Sequence, residues 1–134
     1  MITLEEIAQL LYGAGEKMPG WQGTQDDLIA LAAKMFPRKA FCVVKQWILI
    51  DLTVTPVERE KLTSLYLLPM TLFAHEIVLD SSGRFQSGMW VRSNFGKSFT
   101  EGCMFETTST VYLLRESGLR KEASVGAAFS MKAG

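Results

Sequence analysis

Thr71-Leu72-Phe73-Ala74-His75-Glu76-Ile77-Val78-Leu79-Asp80 is the stretch that decides the fold. In an extended chain successive side chains alternate between faces, so Phe73, His75, Ile77 and Leu79 fall on one side and Leu72, Ala74, Glu76 and Val78 on the other. Both sides are largely apolar, the pattern of a strand inside a sheet and covered on both faces.

Downstream, strand-forming residues alternate with turn signals. Asp80-Ser81-Ser82-Gly83 reads as a turn, Met89 to Ser93 as a short strand, and Asn94 to Ser98, containing Gly96, as another turn. Cys103 to Thr107 and Thr110 to Leu114 complete the sheet as one strand or two, and Glu116-Ser117-Gly118 ends it. The small-residue tail from Glu122 onward is expected to fray, with 123–134 flexible. Such short turns favour antiparallel pairing, because a parallel crossover needs a dozen or more residues. Upstream, Ala40 to Val44 and Gln46 to Thr53 are rich in Phe, Val, Ile and Trp and form one long bent strand or two short ones.

Helices fill the first half. Thr3-x-x-Glu6 opens a helix over Leu4 to Leu11, stopped by Gly13 and Gly15, and Thr24-x-x-Asp27 opens a second, ended by Phe36-Pro37. Thr55-Pro56-x-Glu58 opens a third, with proline in the first turn where its missing N–H costs nothing. Met18 to Gly23 reads as a loop pinned by Trp21. The expected fold class is therefore α+β: an antiparallel sheet formed mainly by the C-terminal half, with two or three N-terminal helices packed on one face.

With 134 residues, 48% hydrophobic and 21% charged, the chain suits a single domain over 1–134. Formal net charge is zero, so the chain as a whole offers no footprint for a polyanion. Residues 1–80 carry 7 basic and 10 acidic groups, and 81–134 carry 7 basic and 4 acidic, which leaves room for a modest basic face. The N-terminus lacks a secretory pattern, and Lys45, Gln46 and Asp51 interrupt the most apolar segment, so no membrane span and a cytoplasmic location are expected. Cys42 and Cys103 fit buried free thiols.

No reaction centre is legible. His75 is the only histidine and sits among apolar neighbours, as a half-buried, hydrogen-bonded ring would. Cys42, Cys103 and His75 lack the close spacing of metal ligands, Gly13-Ala14-Gly15 follows a helix and so is a poor phosphate loop, and Glu101 and Glu106 read as solvated. No catalytic residue, metal or cofactor is expected. Arg92, then Thr108-Ser109-Thr110, then Glu116 or Glu122 resembles in order the Arg, Ser-Thr-Ser, Glu pattern of ADP-ribosyltransferases, which would imply a nicotinamide dinucleotide site. The arginine lies late, the middle motif begins with threonine, and no Gln-x-Glu or Glu-x-Glu follows it.

Arg84-Phe85, Trp90, Arg92, Phe95, Lys97 and Phe99 interleave cations with rings, as a nucleic-acid surface would and as an ordinary half-buried sheet does. Leu65 to Met70 is apolar all round and either plugs the core or meets another chain. The segments Asp80 to Ser93, Phe99 to Thr107, Thr110 to Leu114 and Gly118 to Lys121 resemble a family of small uncharacterised bacterial proteins found in chromosomes and mobile elements. That resemblance implies no activity or cofactor; it suggests a phage or mobile-element accessory protein, such as an inhibitor that docks on a host complex. The resulting expectation is a non-enzymatic protein-interaction module. Its candidate contacts are Trp21, Tyr66, Leu67, Met70, Arg84, Arg92 and Arg120, and its partner is a protein or complex. A homodimer is compatible, and nucleic-acid binding or a small transferase-like enzyme are the alternatives.

Overall fold

In the computed structural model, which describes residues 2–130, three helices begin where a threonine side chain accepts the N–H of an acidic residue three positions on. Thr3 accepts from Glu6 at 3.1 Å to start α1 (Leu4–Tyr12), and Thr24 accepts from Asp27 at 3.2 Å to start α2 (Gln25–Met35). Thr55 accepts from Glu58 at 3.1 Å while the Glu58 carboxylate accepts the Thr55 N–H at 2.8 Å, a reciprocal cap that starts α3 (Pro56–Ser64). A fourth helix, α4 (Val125–Phe129), is capped by Ser124.

Eight strands form one sheet: β1 (Glu16–Met18), β2 (Ala40–Thr53), β3 (Met70–Asp80), β4 (Val91–Arg92), β5 (Ser98–Thr100), β6 (Met104–Glu106), β7 (Thr110–Leu114) and β8 (Gly118–Ser124). β2 is the axis. β3 pairs antiparallel along one edge, while the other edge is shared by β7, parallel against Ala40–Val44, and β8, parallel against Ile48–Thr53. β6 and β5 extend beyond β7, β1 beyond β8, and β4 beyond β3. The sheet curls: the Gly96 N–H donates to the Met70 carbonyl (2.9 Å) and the Lys97 N–H to the Glu106 carbonyl (2.6 Å), so 91–100 lies along β3 at one end and β6 at the other.

This architecture corrects several expectations. Strands are spread through the chain, and the longest belongs to the first half. β7 and β8 run parallel to β2, because 54–109 supplies far more than the dozen residues a crossover requires. Glu116-Ser117-Gly118 does not end the sheet but steps the chain sideways from β7 into β8. Of the tail expected to fray, the part through Ser130 is built into β8 and α4, with Ala127 and Ala128 buried; residues 131–134 lie outside the described residues. Helical cover comes from both halves, since α4 joins α1.

The alternation within β2 and β3 also changes phase. Cys42 and Val44 face the inner cluster, and so do Trp47 and Leu49, so parity flips at Gln46, whose φ of +51° lies in the left-handed region. β3 flips with it: Leu72 and Ala74 face inward and so does Ile77, while Phe73 faces outward. The curled sheet encloses that inner cluster, with Phe105, Tyr112 and Leu114. Leu10 of α1 and Ala128 of α4 cover Ile48, Ile50, Leu52 and Phe73 on the outer face; Leu28 and Ala32 of α2 cover Val43, Met104, Val111 and Leu113 there.

Trp47, 1% exposed, sits under the step from β7 to β8. Its Nε1–H donates to the carbonyls of Arg115 (3.2 Å) and Glu116 (3.1 Å). The ring fits because Gly118 and Gly20 have no side chains: a methyl at Gly118 would run into the indole, and one at Gly20 would meet the indole and the Glu116 carbonyl. α1 is held differently. No basic residue stands in its last turn, and Lys121, 9% exposed, supplies the missing cation by donating to the carbonyls of Leu10 (2.7 Å), Gly13 (2.7 Å) and Gln9 (3.3 Å). Burial lowers the ammonium pKa below its ordinary value.

Gly118→Ala is expected to destabilise the fold by about 1–3 kcal/mol through overpacking against a ring that cannot move. Gly102→Ala, whose methyl would meet open space at φ +67°, carries only backbone strain of about 1 kcal/mol; urea unfolding of both variants checks the order. Lys121→Met strands carbonyls at the end of α1 at a cost of about 1–3 kcal/mol. Hydrogen exchange should quicken in α1 and remain unchanged in β2.

Candidate interaction surface

α3 presents exposed apolar side chains near its two ends, Val57 (76%), Leu65 (57%) and Tyr66 (83%), as α1 does with Leu4 (86%) and Tyr12 (78%). The end of the helix is built by backbone bonds. The Tyr66 N–H donates to the Thr63 carbonyl (3.0 Å) and the Leu67 N–H to the Leu62 carbonyl (2.9 Å), which closes the helix around a left-handed residue. That residue is Tyr66, at φ +59°, where glycine is the unstrained choice. Leu67 and Leu68 turn half-inward, the Leu68 N–H donating to the Gly96 carbonyl (2.8 Å), and Met70 begins β3 against the inner cluster. The apolar segment 65–70 therefore divides, with its first two residues outward and the rest toward the body.

The other candidates are dispersed. Trp21 is half-buried beside the α2 cluster, its Nε1–H donates to the Thr24 carbonyl (2.8 Å), and its backbone bonds to Leu114 and Glu116. Arg84 donates to the Thr110 hydroxyl (3.0 Å), lies 3.7 Å from Asp80 and covers the Phe85 ring. Arg92 donates to the Ser93 carbonyl (2.9 Å) and lies 4.4 Å above the Phe129 ring; burial lowers its guanidinium below its ordinary value. Arg120 holds Asp51 through two bonds of 2.7 and 3.0 Å. Met70 and Arg120 line one cavity, with Asp51, Arg59 and Glu122. The three arginines thus sit on different parts of the sheet and do not form one basic face.

The chemistry-bearing groups are also tied into structure. His75 Nε2 lies 3.1 Å from the Leu11 carbonyl, and its ring stands between Tyr12 and Phe73. Burial, reinforced by Asp80, pushes the Cys42 thiol up to about 12, and burial and Glu101 raise Cys103, so neither is a ready nucleophile at neutral pH. Burial likewise pushes the Tyr112 phenol up to about 12. Among the described residues no group of three or more His, Cys, Asp or Glu gathers to hold a metal ion, and no helix is long and apolar enough to cross a membrane. Arg92 stands on β4 and Thr110 on β7, where the Thr110 hydroxyl accepts from Arg84 at 3.0 Å.

Glu106 departs from the expectation of a solvated side chain. It accepts from Lys39 Nζ (2.6 Å) and from the Ser98 hydroxyl (2.9 Å). Burial pushes its carboxyl up, but those bonds and the charges of Lys39 and Lys97 outweigh it and hold the carboxyl below its ordinary value. What sequence reading missed at the α3 apex was the conformation of Tyr66. The available signal was an aromatic where the stop of a capped helix calls for glycine or asparagine.

The chain is thus a mixed α/β protein built on a curled, mostly antiparallel sheet of eight strands. It belongs to the family described as a domain of unknown function, DUF6957, which matches residues 19–130. No curated protein and no solved structure matches it. α1 and β1 precede the matched region.

A carboxyl with a depressed native pKa stabilises the fold above its unfolded value and loses that contribution as pH falls through the native one. Glu106→Gln should therefore lower stability at pH 7 by on the order of 1 kcal/mol. Urea titrations at falling pH should show the gap to the parent protein closing below about pH 4.

Proposed function

We propose that this chain is a protein-interaction module whose anchor is the Leu65–Tyr66 apex of α3. One observation carries the reading: a large aromatic, 83% exposed, occupies a left-handed position that glycine would fill without strain. Folding gains nothing evident from the exposed ring, and an exposed tyrosine gives a partner a large amphipathic contact at low entropic cost. Leu65, 57% exposed, adjoins it at the same helix end, and Val57, 76% exposed, lies at the other end of α3. The dispersal of the arginines favours a protein partner over a polyanion. A larger complex, docked on by an accessory protein of this kind, is the partner class this reading suggests.

Tyr66→Gly separates folding from binding. It should leave stability unchanged or raise it by up to about 1 kcal/mol, since the strain is relieved, while partners that co-purify with the parent protein are lost. Retention of the same partners by a folded Tyr66→Gly variant would remove the apex from the interface.

A further inference from the structure

β1 stands at one end of the strand order and is shorter than the strand it borders. Its three residues pair with Gly118, Leu119 and Arg120, whereas β8 runs on to Ser124. β2 holds residues 121–124 extended from one side, with Ile50 opposite Lys121 and Thr53 opposite Ser124; among the described residues no strand borders them on the other. Successive residues of a strand turn their N–H and C=O groups to alternate edges, so two of these four offer both groups to the open side. An open edge of this kind is a template on which an extended peptide can add as a further strand.

The edge has room for one. A cleft of about 840 Å³ is lined by residues 121–124, by Ala14 and Gly15 where the chain enters β1, and by Glu5, Glu6 and Gln9 of α1. Charge then selects the strand that fits. Glu5, Glu6 and Glu122 are exposed, while Lys121, the one cation in the lining, directs its ammonium inward to the carbonyls of Leu10 and Gly13 at 2.7 Å each. Three carboxylates against one inward-turned cation leave the edge negative, which attracts a basic segment and repels nucleic acid. The same charge turns away a second copy of this chain. Antiparallel pairing of 121–124 with itself would bring two Glu122 carboxylates to neighbouring positions, and like charges facing each other across strands destabilise a pair.

We infer that the open edge of β8 at 121–124 takes an extended, lysine- or arginine-bearing segment of another protein as a ninth strand, end to end with β1. The main chain of the segment pairs with β8, and its cations face the carboxylates of Glu5, Glu6 and Glu122. The edge involves no residue of α3, so this inference and the reading of the α3 apex fail separately.

The test is an NMR titration of the full chain with an acetylated, amidated peptide of sequence Lys-Val-Lys-Val-Lys-Val, reading the backbone amides of 121–124. Saturable shifts are expected there, with a Kd of about 1 mM or tighter at low salt. The acidic peptide Glu-Val-Glu-Val-Glu-Val should bind at least about tenfold more weakly, and the exposed substitution Glu122→Lys should weaken the basic peptide about threefold. Two N-methylated forms of the basic peptide, one methylated at its lysine amides and one at its valine amides, separate strand pairing from charge. At least one of them should lose binding about tenfold, because a strand turns alternate N–H groups toward its neighbour. Unaltered affinity of both methylated forms overturns the inference, as does the absence of saturable shifts at 121–124. Shifts at 121–124 that grow with protein concentration alone overturn it too, by assigning the edge to a second copy.

Discussion

The structure depends on how one long strand is bordered on one edge by two strands in succession. Where β7 yields to β8 the chain must step aside, and the step leaves backbone carbonyls over the inner cluster with no ladder partner. The Trp47 indole meets both needs: its Nε1–H serves Arg115 and Glu116, and its ring fills the space beneath. A buried carbonyl left unpaired costs about 1–3 kcal/mol, so a purely apolar residue of similar size would not serve. Gly20 and Gly118 follow from the ring, since each lies where any side chain would collide with it.

The kink at Gln46 falls between the part of β2 paired with β7 and the part paired with β8, and β3 changes phase with it, Leu72, Ala74 and Ile77 all facing the inner cluster. Polar groups elsewhere serve comparable joining roles. Lys121 and His75 bind the carbonyls at the end of α1, Lys39 and Ser98 converge on Glu106, and the Asp80 carboxylate accepts the N–H groups of Arg84 and Phe85 to hold the turn after β3.

Local physics was legible. The three threonine caps and the proline at the start of α3 act as their spacing implied, because capping is decided within four residues. β3 was legible as a doubly covered strand, although its phase was not: Phe73 and Ile77 share a face by parity in the sequence, whereas in the fold Ile77 faces the inner cluster and Phe73 the outer one. β1 is three residues long and includes Glu16 and Lys17, so no local preference marks it. β8, Gly-Leu-Arg-Lys-Glu-Ala-Ser, carries little strand propensity and is extended because β1 and β2 flank it. Among the candidate contacts, exposure of the Tyr66 ring depended on the turn it closes, and the partners of Arg84 and Arg120 lie 26 and 69 residues away at Thr110 and Asp51.

Strand order also dictates a timetable. β2 and β3 emerge from the ribosome together and can zip at once, but the opposite border of β2 stays open until β7 and β8 have been made, roughly sixty residues later. During that interval a greasy fourteen-residue ribbon displays unpaired amides and carbonyls to the cell. An exposed strand edge is a template for aggregation, so this chain is most vulnerable before residue 110 has been made.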